Sequence, residues 1–232
     1  MSNQVVTFGC RLNISESEII KEQLSESGLK DYVVFNSCSV TKEAERKLRQ
    51  SMRKNRKLYP DKKIIVTGSS TGIGMLTAIE YLRLGAKVIF HGNKSLNNLN
   101  NKLNEFDNSC YKILKSDFTD VGQVEDFMKQ SLDFLQGLDI LVNNAGTMVG
   151  RYHLEEISKS KFEEIFNLNA KSAYFASKSA LDQFKKQNYG CIINVSTISA
   201  STGGSAGSSA YSASKSFISG ITRSLASELA PY

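Results

Sequence analysis

Long hydrophobic runs are missing from this 232-residue chain. No stretch approaches the roughly 18–20 apolar residues of a membrane-spanning helix, so no membrane partner is expected. The first ten residues, MSNQVVTFGC, lack a basic segment followed by an apolar core, and no secretory leader is expected. Cysteine is sparse and scattered: Cys10, Cys38, Cys110 and Cys191 lie far apart. That spacing excludes a disulfide framework and points to reduced thiols in a cytoplasm. No metal site is expected. The rest of the composition, 41% hydrophobic and 22% charged, is that of an ordinary globular protein.

The net charge of +6 has a single source. Residues 41–58, TKEAERKLRQSMRKNRKL, carry eight Lys/Arg against two Glu, so the remainder of the chain is neutral. The basicity therefore belongs to one predicted helix, read either as a solvated face or as an RNA-facing surface.

Residues 4–60 alternate strand and helix. Val5–Phe8 is a β-rich run, Ser15–Ser27 has helical spacing with a capping box at Ser15 and Glu18, Tyr32–Phe35 is a second strand, and Thr41 can cap the basic helix before Pro60. From Ile64 onward the pattern predicts strand 64–67, helix 72–84, strand 87–91, helix 95–105, strand 111–115, helix 120–136, strand 138–142, helix 158–186, strand 190–196 and helix 212–230. Residues 199–209, rich in Ser and Gly, read as a mobile loop beside a site. Such alternation implies a parallel sheet covered on both faces. The expected fold class is α/β: a Rossmann-like doubly wound parallel sheet, incomplete at its C-terminus, preceded by a small βαβα segment. The expected division is 1–61 and 62–232.

The turn Thr67-Gly68-Ser69-Ser70-Thr71-Gly72-Ile73-Gly74 follows a strand and opens a helix. Glycines let the backbone approach a pyrophosphate closely, and the free N–H groups of the helix start meet its charge. Gly68, Ser70, Thr71, Gly72, Ile73 and Gly74 are the candidate phosphate-binding residues. The next strand ends in His91-Gly92-Asn93-Lys94, without the acid that would take the ribose hydroxyls of NAD and with one cation nearby. NADP is therefore expected over NAD, with Asn93 at the ribose. Asp117 is either an acceptor for the adenine amino group or the N-cap of the following helix. Asn144, Ala145 and Gly146, at the end of an apolar strand, can brace the crevice where ligands bind.

Tyr211 and Lys215 stand at i and i+4 on a helix, so they share a face. A phenol of pKa about 10 exchanges protons poorly at neutral pH, and a fixed ammonium beside it is expected to lower that value. A hydroxyl upstream would polarise a carbonyl; Ser196 and Thr197 are the candidates. Asn169 sits mid-helix, where Asn is unfavourable, and is either surface filler or bonded to a buried carbonyl or water.

In this order and on these elements, residues 62–232 resemble the short-chain dehydrogenase/reductase family. The resemblance implies that Tyr211 is the general acid/base, that Lys215 tunes it and holds the nicotinamide ribose, and that Asn169 supports a water relay. By alignment of Asn194-Val195-Ser196-Thr197 the family's serine falls on Thr197, with Ser196 second. The family normally continues through further strands and a substrate-covering helix beyond Tyr232, so one wall of the substrate pocket is expected to be missing. A small carbonyl or alcohol is the expected substrate; a homo-oligomer is allowed, and no nucleic-acid partner is expected.

Val6–Asn13 and Asn36–Thr41 resemble the start of the radical-SAM methylthiotransferases that modify tRNA, in which three cysteines hold an iron–sulfur cluster. Cys10 and Cys38 match the first two. The third would fall on Ser69, and the three-cysteine motif of a second cluster is absent. Two thiolates leave a cluster under-ligated, so none is expected. Two alternatives to a working reductase follow: a fusion that binds cofactor with little turnover, and a tRNA-binding remnant carried by 41–58.

Overall fold

A computed structural model of the chain describes residues 4–8, 18–22, 25, 33–37, 61–94 and 96–230. The chain divides into two compact units, Met1–Pro60 and Asp61–Tyr232. In the first, strands β1 (Gln4–Phe8) and β2 (Val33–Ser37) pair in parallel, Gln4 opposite Val33 and Phe8 opposite Ser37. Parallel neighbours need a crossover, and residues 18–22 within it are helical. The predicted basic helix 41–58, Cys10 and Cys38 lie outside the described residues.

The second unit is a Rossmann-like doubly wound sheet. Five strands, β3 (Lys63–Val66), β4 (Lys87–Gly92), β5 (Tyr111–Lys115), β6 (Ile140–Asn143) and β7 (Cys191–Asn194), lie in the order β5-β4-β3-β6-β7, all parallel. Period-two alternation sends successive side chains to opposite faces. Ile65, Ile89 and Leu141 therefore pack on one side against helices α3 (Val121–Leu135) and α5 (Ser172–Gln187), through Val124, Phe127, Met128, Ala176, Ala180 and Phe184. Ile64, Val66, Val88, Phe90 and Val142 pack on the other against α1 (Gly72–Arg83) and α2 (Asn97–Leu103). The order reverses between β3 and β6. The crevice outside the carboxyl ends of those strands is where such sheets bind ligands.

Two elements depart from the sequence expectation. The single helix predicted over 158–186 is α4 (Lys159–Phe166), a π-helical turn (Asn167–Lys171) and α5. The stretch predicted as a mobile loop begins with a helical turn, α6 (Ser199–Thr202), and α7 starts at Ser209 and runs to Leu229. Hydroxyls supply the order there: Ser208 donates to the Ser205 carbonyl, and Ser212 to the Gly203 carbonyl at 2.8 Å.

Candidate functional site

The glycine turn is fastened to the end of β6 rather than left free. Thr67 is buried, and its Oγ1 accepts from the backbone N–H groups of Asn144 (3.0 Å) and Ala145 (2.9 Å). In return Asn144 Nδ2 donates to the carbonyls of Thr67 (2.9 Å) and Gly68 (3.0 Å). Asn143, one residue earlier, ties β6 to its other neighbours: its Nδ2 donates to Ser177 Oγ on α5 and Asn194 Oδ1 on β7.

The close approach explains the glycines. A Cβ at Gly68, which has φ +61°, would lie 2.7 Å from Ala145 Cα; one at Gly74 would lie 2.3 Å from Asn144 Nδ2 and 2.5 Å from the Gly68 carbonyl. Gly72 differs, with φ +58° and open space where a Cβ would stand. The start of α1, with Thr71 making no side-chain cap and Thr71, Gly72 and Ile73 exposed, therefore presents backbone N–H groups to an open cradle. That is the arrangement a pyrophosphate needs, and the residues fit a dinucleotide.

The end of β4 is equally crowded. A Cβ on buried Gly92 would meet Leu96 Cδ2 at 2.6 Å and Ser70 Cβ at 2.7 Å, while Asn93 and Lys94 are exposed. Asp117, past β5, accepts from the backbone N–H and hydroxyl of Thr119 at 2.9 and 2.8 Å. The Thr119 N–H, with help from the Thr119 hydroxyl, Asn93 and His91, holds its carboxyl below the usual range. The helix after it is capped by Asp120, which accepts from Gly122 N–H. Of the two roles weighed for Asp117, the N-cap is therefore corrected: that place is three residues further on.

His91 is the residue that sequence reasoning passed over. It ends an apolar strand yet is buried, with its ring stacked on Phe118 at 3.8 Å between centroids. Burial lowers its pKa to about 4. The signal available was its place after Val88-Ile89-Phe90, where an exposed side chain would break the pattern of a two-sided core. Because the folded value lies below the unfolded 6.5, the unfolded chain takes up the proton first as pH falls. The stability this neutral ring represents is intact above pH 6.5 and lost between 6.5 and about 4. Urea unfolding at either end of that window should differ by about 3 kcal/mol from this group, and the difference should vanish in His91→Leu.

Tyr211 and Lys215 project from α7 toward the ends of β6 and β7. Lys215 is 5% exposed, its Nζ donates to the Val195 carbonyl at 3.0 Å, and burial brings its pKa down to about 8. Half-buried Tyr211 is shifted up by burial, offset by a hydrogen bond with the Thr197 hydroxyl. This corrects the expectation that the ammonium depresses the phenol. Burial outweighs what lowers the phenol, and the Lys215 ammonium is engaged by the Val195 carbonyl.

The two hydroxyl candidates have different surroundings. Ser196 Oγ donates to the Lys215 carbonyl at 3.3 Å, whereas the Thr197 hydroxyl is the one that acts to lower the Tyr211 phenol. Asn169 is buried in the π-turn and is not surface filler. Its Nδ2 donates to the carbonyls of Thr147 (2.8 Å) and Ile165 (2.9 Å), and its Oδ1 has no partner. Gly146 makes room there, since a Cβ would lie 2.5 Å from Asn169 Oδ1 and 3.0 Å from Lys215 Nζ. The structure thus gathers Asn169, Gly146 and Lys215, with Tyr211 one helical turn before Lys215 on α7.

Among the described residues no three His, Cys, Asp or Glu lie together as metal ligands, and no helix is long and apolar enough to cross a membrane.

Comparison with known proteins gives two matches along the chain. Residues 62–232 match the short chain dehydrogenase family, and residues 3–72 match a family described as Uncharacterized protein family UPF0004. Threonylcarbamoyladenosine tRNA methylthiotransferase MtaB of Rickettsia prowazekii is 57% identical over 70 residues, 30% of this chain but 17% of that protein's length. Among solved structures, the NADH-dependent reductase A1-R' complexed with NAD superposes with a TM-score of 0.66 at 30% identity, over 73% of each chain. A short chain dehydrogenase from Burkholderia cenocepacia in complex with NADP gives 0.68 at 28% identity, over 74% of this chain and 70% of that one.

Proposed function

This chain belongs to the short-chain dehydrogenase family over residues 62–232, and on that footing we propose that it transfers hydride between NADP and the carbonyl or alcohol carbon of a small substrate. One observation carries the reading. The glycine turn, locked to β6 through Thr67 and Asn144, opens onto the same edge of the sheet at which Tyr211 meets Thr197 and Lys215 is buried.

The dinucleotide, when bound, supplies or receives the hydride. Gly68, Ser70, Thr71, Gly72, Ile73 and Gly74 would hold its phosphates, Asn93 and Asp117 its adenosine half, and Asn144, Ala145, Gly146, Tyr211 and Lys215 its nicotinamide half. The protein's own chemistry is proton management. Burial keeps a proton on Tyr211 Oη at neutral pH, ready for a substrate oxygen in the reductive direction. Thr197 Oγ1 orients the phenol and can polarise that oxygen. Lys215, with a pKa of about 8, can pass a proton on near neutrality, which an ordinary lysine does poorly. Asn169 Oδ1, buried and unpartnered, offers an acceptor beside it for a relaying water.

The preference for NADP rests on the end of β4. Gly92 has no room for a ribose-binding carboxylate, and Lys94 is exposed nearby with Asn93. NADPH should bind more tightly than NADH, and Lys94→Glu should weaken NADPH by roughly tenfold while leaving NADH within about twofold. Fluorescence titration of both nucleotides checks this; equal losses for the two would remove the charge argument.

No iron–sulfur chemistry enters this reading. Residues 62–72 fall within both family matches, and this stretch is β3 with its glycine turn, hydrogen-bonded between β4 and β6. Ser69, at the third ligand position, is fully buried: its Oγ donates to the Val66 carbonyl at 2.6 Å and accepts from His91 N–H at 2.8 Å. Anaerobic reconstitution with iron and sulfide should yield no bound iron; stoichiometric iron with a visible chromophore would reopen the methylthiotransferase reading.

A further inference from the structure

His91 belongs to none of the proton-transfer chemistry, yet it touches all three turns assigned to the adenosine and phosphate portions of the dinucleotide. Its Nδ1 accepts from the Gly68 N–H at 2.9 Å, and its Nε2 lies 3.1 Å from the Ser116 carbonyl. Its backbone exchanges hydrogen bonds with Ser69: its N–H donates to Ser69 Oγ, and its carbonyl accepts from Ser69 N–H at 2.8 Å. It also directly precedes Gly92 and Asn93, the turn at the ribose.

These partners fix the state of the ring. A backbone N–H only donates and a carbonyl only accepts, so Nδ1 bears the lone pair and Nε2 the proton. An imidazolium would set a second N–H against that of Gly68. Among the described residues, the ring's other neighbours are the Phe118 and Phe127 rings and the Asp117 carboxylate, the ionisable group that acts on it. Gly68 needs such an anchor. It sits at φ +61° with no side chain, and the direction of its peptide group decides where the rest of the turn points.

We propose that His91, as the neutral Nε2–H imidazole, is a positioning residue for the dinucleotide, fastening the start of the phosphate turn to the end of β5 so that phosphate, ribose and adenine sites form one preorganised surface. This rests on the dinucleotide-binding reading given above. Preorganisation of this kind acts on affinity and leaves the proton-transfer step alone.

The test uses the full chain with NADPH as the probe. His91→Leu removes both ring contacts; His91→Asn keeps an acceptor for the Gly68 N–H. The Kd for NADPH should rise by about tenfold in His91→Leu and by no more than about threefold in His91→Asn. The kcat at saturating NADPH should stay within about twofold in both. Nitrogen NMR of the unsubstituted protein supplies a reading that needs no variant: His91 should show the Nε2–H tautomer, with no titration near pH 6.5.

Wild-type binding with an unchanged Kd in His91→Leu overturns the inference alone, as does equal weakening in Leu and Asn with kcat falling in parallel, or an imidazole that titrates near 6.5. Absence of NADPH binding by the unsubstituted chain overturns the functional reading and this inference with it.

Discussion

Replacing Tyr211 by Phe is expected to lower kcat by roughly 10³-fold, the contribution of a positioned general acid, while the Kd for NADPH stays within about threefold. The substitution removes one oxygen. The ring keeps its half-buried packing, and the lost hydrogen bond to Thr197 is a single neutral contact. Burial holds the Tyr211 pKa above its ordinary 10, so the phenol is protonated throughout the neutral range. Reduction of a carbonyl should therefore be flat with pH near neutrality. Oxidation of an alcohol, which needs a proton acceptor, should rise toward alkaline pH. Steady-state rates in both directions check the pair of trends. A Tyr211→Phe protein that retains even a tenth of the rate would place proton transfer on another group.

The second large effect belongs to the glycine turn. Gly74→Val should abolish measurable NADPH binding, a loss of roughly 100-fold or more, because overpacking costs about 1–3 kcal/mol and the displaced N–H groups forfeit charge-assisted hydrogen bonds of about 1.5–3 kcal/mol each. The added Cβ would lie 2.3 Å from Asn144 Nδ2 and 2.5 Å from the Gly68 carbonyl. Neither can give way independently, since Asn144 Nδ2 is already bonded to the Thr67 and Gly68 carbonyls. The turn must move off β6, and its N–H groups turn with it. Gly220→Ala is the matching control. It lies within α7 with open space around a Cβ, so binding should be unchanged and the helix stabilised by about 1 kcal/mol. Calorimetric titration of both variants, alongside thermal unfolding, separates loss of the site from loss of the fold.

These two candidate sites could be proposed from the chain because their residues are close in sequence. Gly68 to Gly74 act within one strand-to-helix turn, and Tyr211 and Lys215 within one turn of helix. The five strands of the sheet were legible for a related reason: apolar runs between helical periods mark a sheet buried on both faces, and Tyr111–Lys115 forms as the pattern predicts.

What sequence did not yield depends on contacts across the sheet. The choice between Ser196 and Thr197 turns on which hydroxyl faces Tyr211 once β7 packs on α7. The π-turn at Asn167–Lys171 contains Asn169, whose amide reaches the Thr147 carbonyl, far away in sequence. Helical periodicity carries no trace of that bond. The direction of Lys215 was missed for the same reason, since spacing cannot show the Val195 carbonyl that holds it. His91 reads as an ordinary strand terminus until Gly68 and Ser116 are brought to either side of its ring.

The central claim is that the turn from Gly68 to Gly74 is a dinucleotide site in working form. Calorimetric titration of the full chain with NADPH tests it most directly. The account predicts saturable binding of one nucleotide per chain, lost in Gly74→Val and kept in Gly220→Ala. A titration without heat, or binding that Gly74→Val leaves intact, would contradict it.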